Sequence, residues 1–94
     1  MATTIHKYQL WDYPTKVSDT VDISMPIGSK PLCVQIQHGQ PMLWAMVDPN
    51  EKQTVTRHFV IFGTGHPISL AVIRYIGTFQ LEGGGLIFHV FEKE

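Results

Sequence analysis

An all-β domain, a small antiparallel β-sandwich or a partly open barrel of about seven strands, is what this 94-residue chain predicts. Three observations carry the prediction. Branched and aromatic residues recur at every second position through much of the chain. The links between those runs are short and hold glycine, proline or small polar residues. No stretch shows a convincing amphipathic helical period.

The elements follow in order. The first strand is expected over Thr4–Trp11, with Tyr8 and Leu10 on its leading face; Asp12-Tyr13-Pro14 ends it, since proline biases its predecessor away from helix. Val21, Ile23 and Met25 alternate with Asp22 and Ser24, a half-buried strand, and Pro26–Pro31 is a turn-rich link. Leu32, Val34 and Ile36 alternate with Cys33, Gln35 and Gln37, the cleanest strand signal. His38-Gly39-Gln40 has the size of a hairpin loop. Pro41 opens the return strand, where no ladder N–H is needed. Met42–Val47 is apolar at every position, which points to a central strand covered on both faces. Asp48–Gln53 is the most polar window and reads as an exposed loop. Val55, Arg57, Phe59 and Ile61 mark the fifth strand, ended by Gly63-Thr64-Gly65-His66-Pro67. Ile68–Val72 fits either a strand or one helical turn. Ile73–Leu81 is the sixth strand, with Gly77 as the place for a bulge. Glu82–Gly85 is a turn, Leu86–Phe91 the last strand, and Glu92-Lys93-Glu94 a solvated end.

Composition narrows the function classes. The length predicts one domain, residues 1–94. A formal charge of −1 gives no basic excess for a nucleic-acid polymer. No apolar run approaches a membrane span, and no signal-peptide pattern opens the chain. Cys33 is the single cysteine, so no internal disulfide can staple the fold, and a reducing, cytoplasmic location is expected.

Three groups of residues could bind a ligand. Gly63, Thr64, Gly65 and His66 could expose backbone N–H groups as an anion nest, with the hydroxyl and ring as further donors; the plain alternative is a strand-ending turn. Arg57 and Arg74 interrupt apolar strands, so each must reach solvent, a carboxylate or an anionic ligand. Gln35, Gln37 and Trp44 could read a nucleobase through amides and an aromatic plane; the alternative is a polar outer face beside a core tryptophan. The five histidines lack metal-ligand spacing, so no metal and no cofactor are expected. His58 reads as a surface residue, and His89, among Phe88, Val90 and Phe91, as a satisfied core or interface histidine. No nucleophile–base order is visible, so no catalytic residue is assigned.

Several blocks together carry a resemblance: Val34-Gln35-Ile36-Gln37, Pro41–Pro49, Phe62–Ile68, Tyr75–Gln80 and Leu86–Glu92. Over residues 5–92 the chain resembles an uncharacterised family of short phage and prophage proteins. The resemblance implies no activity and transfers no catalytic residue. It implies a context in which small accessory proteins include several unrelated families that inhibit host defences, some of those being oligomeric sponges that bind cyclic nucleotide immune signals.

The expected function is therefore a non-enzymatic, homo-oligomeric, phage-type accessory protein that binds a small anionic ligand, a cyclic nucleotide immune signal being the sharpest form. A protein-interaction or structural module is the alternative, and a small nucleotide hydrolase a third. The homo-oligomer is expected to use the last strand, which is apolar on both faces.

Overall fold

The computed structural model describes residues 3–68 and 74–94. Its strands are β1 (Thr4–Gln9), β2 (Thr20–Pro26), β3 (Lys30–Gln37), β4 (Gln40–Val47), β5 (Thr54–Gly63), β6 (Arg74–Leu81) and β7 (Leu86–Lys93). They form two antiparallel sheets, β1-β4-β3 and β2-β5-β7-β6. The sheets do not close into a barrel, so the sandwich form of the expected fold is the observed one. The undecided run 68–72 past Ile68, together with Ile73, lies outside the described residues. Among the described residues no helix is long and apolar enough to cross a membrane.

Alternation places the core between the sheets. The small sheet contributes Val34, Leu43, Ala45 and Val47; the large one contributes Ile23, Met25, Phe59, Ile61, Phe79, Leu81 and Val90. β4 is central in its sheet, as expected, but it is covered on one face only. Pro41, Leu43, Ala45 and Val47 are buried, whereas Met42, Trp44 and Met46 are half-buried on the far face. The continuous apolar run hid a one-sided strand, because its outward residues are themselves methionines and a tryptophan.

β1 is shorter than expected. It ends at Gln9; Leu10 N–H still donates to the Pro41 carbonyl at 2.9 Å, and the Leu10 and Trp11 side chains are buried in the core at one end of the sandwich. The Trp11 ring meets Phe79 and Phe88 edge-on, at centroid distances of 5.3 and 5.1 Å. Its Nε1–H donates to the Ser18 carbonyl at 2.9 Å, so the buried indole leaves no polar atom unpaired. The core tryptophan is thus Trp11 and not Trp44. The Gln40 side chain fastens the following loop, accepting from Tyr13 N at 2.7 Å and donating to Tyr13 O at 2.9 Å.

Two local devices fix the strand geometry. The β3–β4 hairpin turns on His38 and Gly39 alone, both at positive φ (52° and 78°), while Gln40 already belongs to β4. Positive φ at both central residues is the mirror-image turn whose twist suits a two-residue hairpin. In β6 the register slips between Tyr75 and Gly77, which confirms the bulge expected there and turns Ile76 into the core. A Cβ at Gly77 would stand 3.1 Å from the Val34 backbone nitrogen, so this glycine lets β6 pass close to the backbone of β3 in the other sheet.

Candidate functional site

β5, β7 and β6 lie side by side, and their inward positions at one end carry Arg57, Glu92 and Arg74. Arg57 Nε donates to Glu92 Oε2, and Arg57 Nη2 donates to Oε1 at 3.0 Å. Arg57 Nη1 donates to the Ser29 carbonyl at 2.8 Å, and Arg74 Nη2 donates to Glu92 Oε1 at 2.7 Å. The carboxylate that both strand arginines needed is therefore in the chain itself. Glu92 is only 4% exposed, which corrects the expectation of a solvated end. β7 runs on to Lys93, and period 2 carries Glu92 onto the face of Val90. Burial pushes the Glu92 carboxyl up, but the hydrogen bonds and charge of Arg57, then those of Arg74, outweigh it and hold it below the ordinary carboxylate value. An open cleft of about 530 Å³ lies beside this cluster, lined by Thr56, Arg57, His58, Arg74, Glu92, Lys93 and Glu94. His58 Nδ1 lies 2.8 Å from Asp22 Oδ1 in an exposed pair.

The opposite end of β5 holds the glycine turn. His66 N donates to Gly63 O at 3.1 Å, closing a four-residue turn with Gly65 at φ +87°. Thr64 N donates to Ile87 O at 3.2 Å. Two of the N–H groups that an anion nest would need are therefore engaged within the chain, and Gly65 N–H meets no acceptor among the described residues. The His66 ring lies over Gly63, 3.0 Å from where a Cβ would stand.

A polar row adjoins this turn that the sequence reading did not assemble. Thr64 Oγ1 lies 2.7 Å from His89 Nε2, His89 Nδ1 lies 2.9 Å from Thr78 Oγ1, and Thr78 Oγ1 lies 2.5 Å from the Tyr75 hydroxyl. The ladder makes it possible, because Phe62, His89 and Thr78 stand in register on neighbouring strands. His89 is the satisfied histidine expected, but on the outer face of its sheet. No single run of sequence could reveal the row, since its members come from three separate segments.

The third group sits on the other sheet. Trp44 and the exposed Gln35 share a shallow depression of about 260 Å³ with Ile5, Leu32 and Cys33. Gln37 instead accepts from Lys7 Nζ at 2.7 Å, and the same ammonium lies 5.8 Å from the Trp44 ring centroid. The expected ligand residues are thus divided among three places. Arg57 and Gly63 are six residues apart on β5, roughly 20 Å at about 3.3 Å per residue. Among the described residues no three His, Cys, Asp or Glu side chains cluster as a metal site would require.

The family model described as a domain of unknown function, DUF7352, matches residues 1–94, and the chain belongs to that family. Searches of the curated proteins and of the solved structures gave no match.

Proposed function

We propose, for this member of the DUF7352 family, that the protein binds a small anionic ligand in the cleft beside Arg57 and Arg74. The observation that carries the reading is the pairing of two guanidiniums with one buried carboxylate at the mouth of that cleft. One positive charge remains over, and Glu92 holds both planar groups in place before a ligand arrives. The Arg74 side chain is 45% exposed, so it can meet an anion that Arg57, held by Ser29 and Glu92, meets only at its edge. Lys93 adds a positive charge at the rim, offset by the neighbouring Glu94, and Thr56 adds a hydroxyl. A cleft of about 530 Å³ is of the size that small-ligand sites have. The sharpest form of the proposal is a cyclic nucleotide immune signal, held by a homo-oligomer and released unchanged. That form draws on the resemblance to phage and prophage proteins.

Titration calorimetry against a panel of cyclic nucleotides and inorganic phosphate tests the reading. Arg74→Ala is expected to weaken binding about tenfold to a hundredfold, the loss of one charge-assisted contact. Heating the complex then returns intact ligand. Uptake that is unaffected by Arg74→Ala removes the cleft from consideration, and returned ligand that is chemically altered makes the protein an enzyme. A second reading, an interaction module, is favoured by the outer face of the small sheet. There Ile5 (57% exposed) and Leu32 flank Trp44. Absence of uptake across the whole panel selects it.

A further inference from the structure

We propose that Thr64 and His89 form a nucleophile–base pair that accepts an acyl group from small carboxylic esters. The pair stands at the end of β5 away from the arginine cleft, and the inference does not rest on the binding reading. Thr64 Oγ1 lies 2.7 Å from His89 Nε2, while its other acceptor, the Ile87 carbonyl, is at 3.4 Å. The shorter contact has the length of a good O–H hydrogen bond, and in the tautomer that the reaction requires the hydroxyl proton points at the imidazole. With Nε2 accepting, Nδ1 carries the ring proton and donates it to Thr78 Oγ1 at 2.9 Å. Thr78 is braced in turn by the Tyr75 hydroxyl. A hydroxyl, a base and a third group that fixes the tautomer of the base make up the arrangement that activates a weak nucleophile.

The surroundings suit the chemistry. Thr64 is exposed on a turn, and the space around Gly65 is open where a side chain would stand. Gly65 N–H donates to no acceptor among the described residues. It follows the nucleophile directly, the place from which ester-cleaving enzymes draw one donor for the developing oxyanion. A cleft of about 390 Å³, lined by Asp19 and Thr20 as well as Val60, Phe62, His66 and Pro67, lies along the end of β5 that leads into the turn, and Phe62 is the ladder partner of His89. In the first step Thr64 Oγ1 bonds to the acyl carbon and passes its proton to His89 Nε2. The bond from that carbon to the leaving oxygen breaks, and the imidazolium protonates the departing oxygen. Water then attacks the acyl-threonine with His89 as base, which releases the carboxylic acid and restores the hydroxyl.

p-Nitrophenyl acetate is the probe, used with the full chain. The wild type is expected to release p-nitrophenolate about a hundredfold faster than Thr64→Ala or His89→Asn, the lower end of what a positioned base contributes. Acid quenching should trap an acetyl group on the peptide that bears Thr64. Thr64→Ser should keep both rate and adduct, and His38→Gln, on the distant hairpin, should change neither. Because Thr64 is exposed, the Ala and Ser variants decide the matter even if His89→Asn does not fold. Thr64→Ala hydrolysis at the wild-type rate, or an adduct on lysine alone, overturns the proposal.

Discussion

Glu92→Gln keeps the shape of the side chain between Arg57 and Arg74 and removes its charge. Two guanidiniums then face each other with no carboxylate, and breaking a buried pair from one side leaves the other side unbalanced. The expected loss is roughly 1.5–3 kcal/mol, the range for hydrogen bonds to charged groups, read from the midpoint of urea unfolding. Arg74→Met should cost less, about 1 kcal/mol or below, because that side chain is half in solvent. The same carboxyl sets a pH dependence. Its folded value lies below the ordinary 4.5, so between the two values the unfolded chain binds the extra proton. The stabilisation is therefore complete above the ordinary value and is lost as pH falls through the depressed one. Urea midpoints from neutral to acid pH should fall more steeply in the wild type than in Glu92→Gln; parallel curves would show that Glu92 is not the titrating group. The arginines announced their need for a carboxylate in the sequence, since a charge inside an apolar strand must be answered. The partner was not legible, because Glu92 stands in a charged terminal triplet that looks like a solvated tail. Only the register of β7 against β5 and β6 shows which of the three turns inward.

At the scale of elements, glycines at two junctions serve different ends. Gly65 holds φ +87° in the turn after β5, so Gly65→Val should lose about 1–2 kcal/mol through backbone strain alone, with the melting temperature lower by about 4–8 °C per kcal/mol in a domain of this size. An unchanged melt would mean that the turn does not need a glycine there. Gly77→Ala acts through packing. Its Cβ would press on the Val34 backbone nitrogen at 3.1 Å, and backbone cannot swing aside as a side chain can. A loss of about 1–3 kcal/mol is expected, as for other overpacked interiors, and Val34→Ala should not relieve it, because the clash is with main chain. The strands themselves were legible from period 2, since one buried face imposes alternation. Where both faces carry apolar residues, as in β4, the pattern could say central but not which face was open. The departure of Trp11 from β1 was invisible for a similar reason, because a tryptophan in the core and one on a strand are written alike.

At the scale of the whole molecule, β7 has neighbours on both edges, so a second copy can meet only its outer face. There Phe91 packs edge-on against Phe62 and Tyr75 at 6.0 and 5.4 Å, and Tyr75 is 54% exposed. Light scattering at micromolar concentration is expected to give a multiple of the single-chain mass, and Phe91→Asp to give folded monomers. A wild-type monomer would assign those rings to the protein's own surface. The order of strands in the two sheets also has a consequence in time. β1 pairs with β4 and β2 with β5, whereas the hairpins β3–β4 and β6–β7 join strands adjacent in sequence. During synthesis the first two strands emerge well before either partner exists: β1 has nothing to pair with until the fourth strand leaves the ribosome, and β2 nothing until the fifth. Long-range pairings of this kind close slowly, on the order of milliseconds to seconds. A nascent chain halted before Val60 should remain open to protease, and one released after Lys93 should close as a unit.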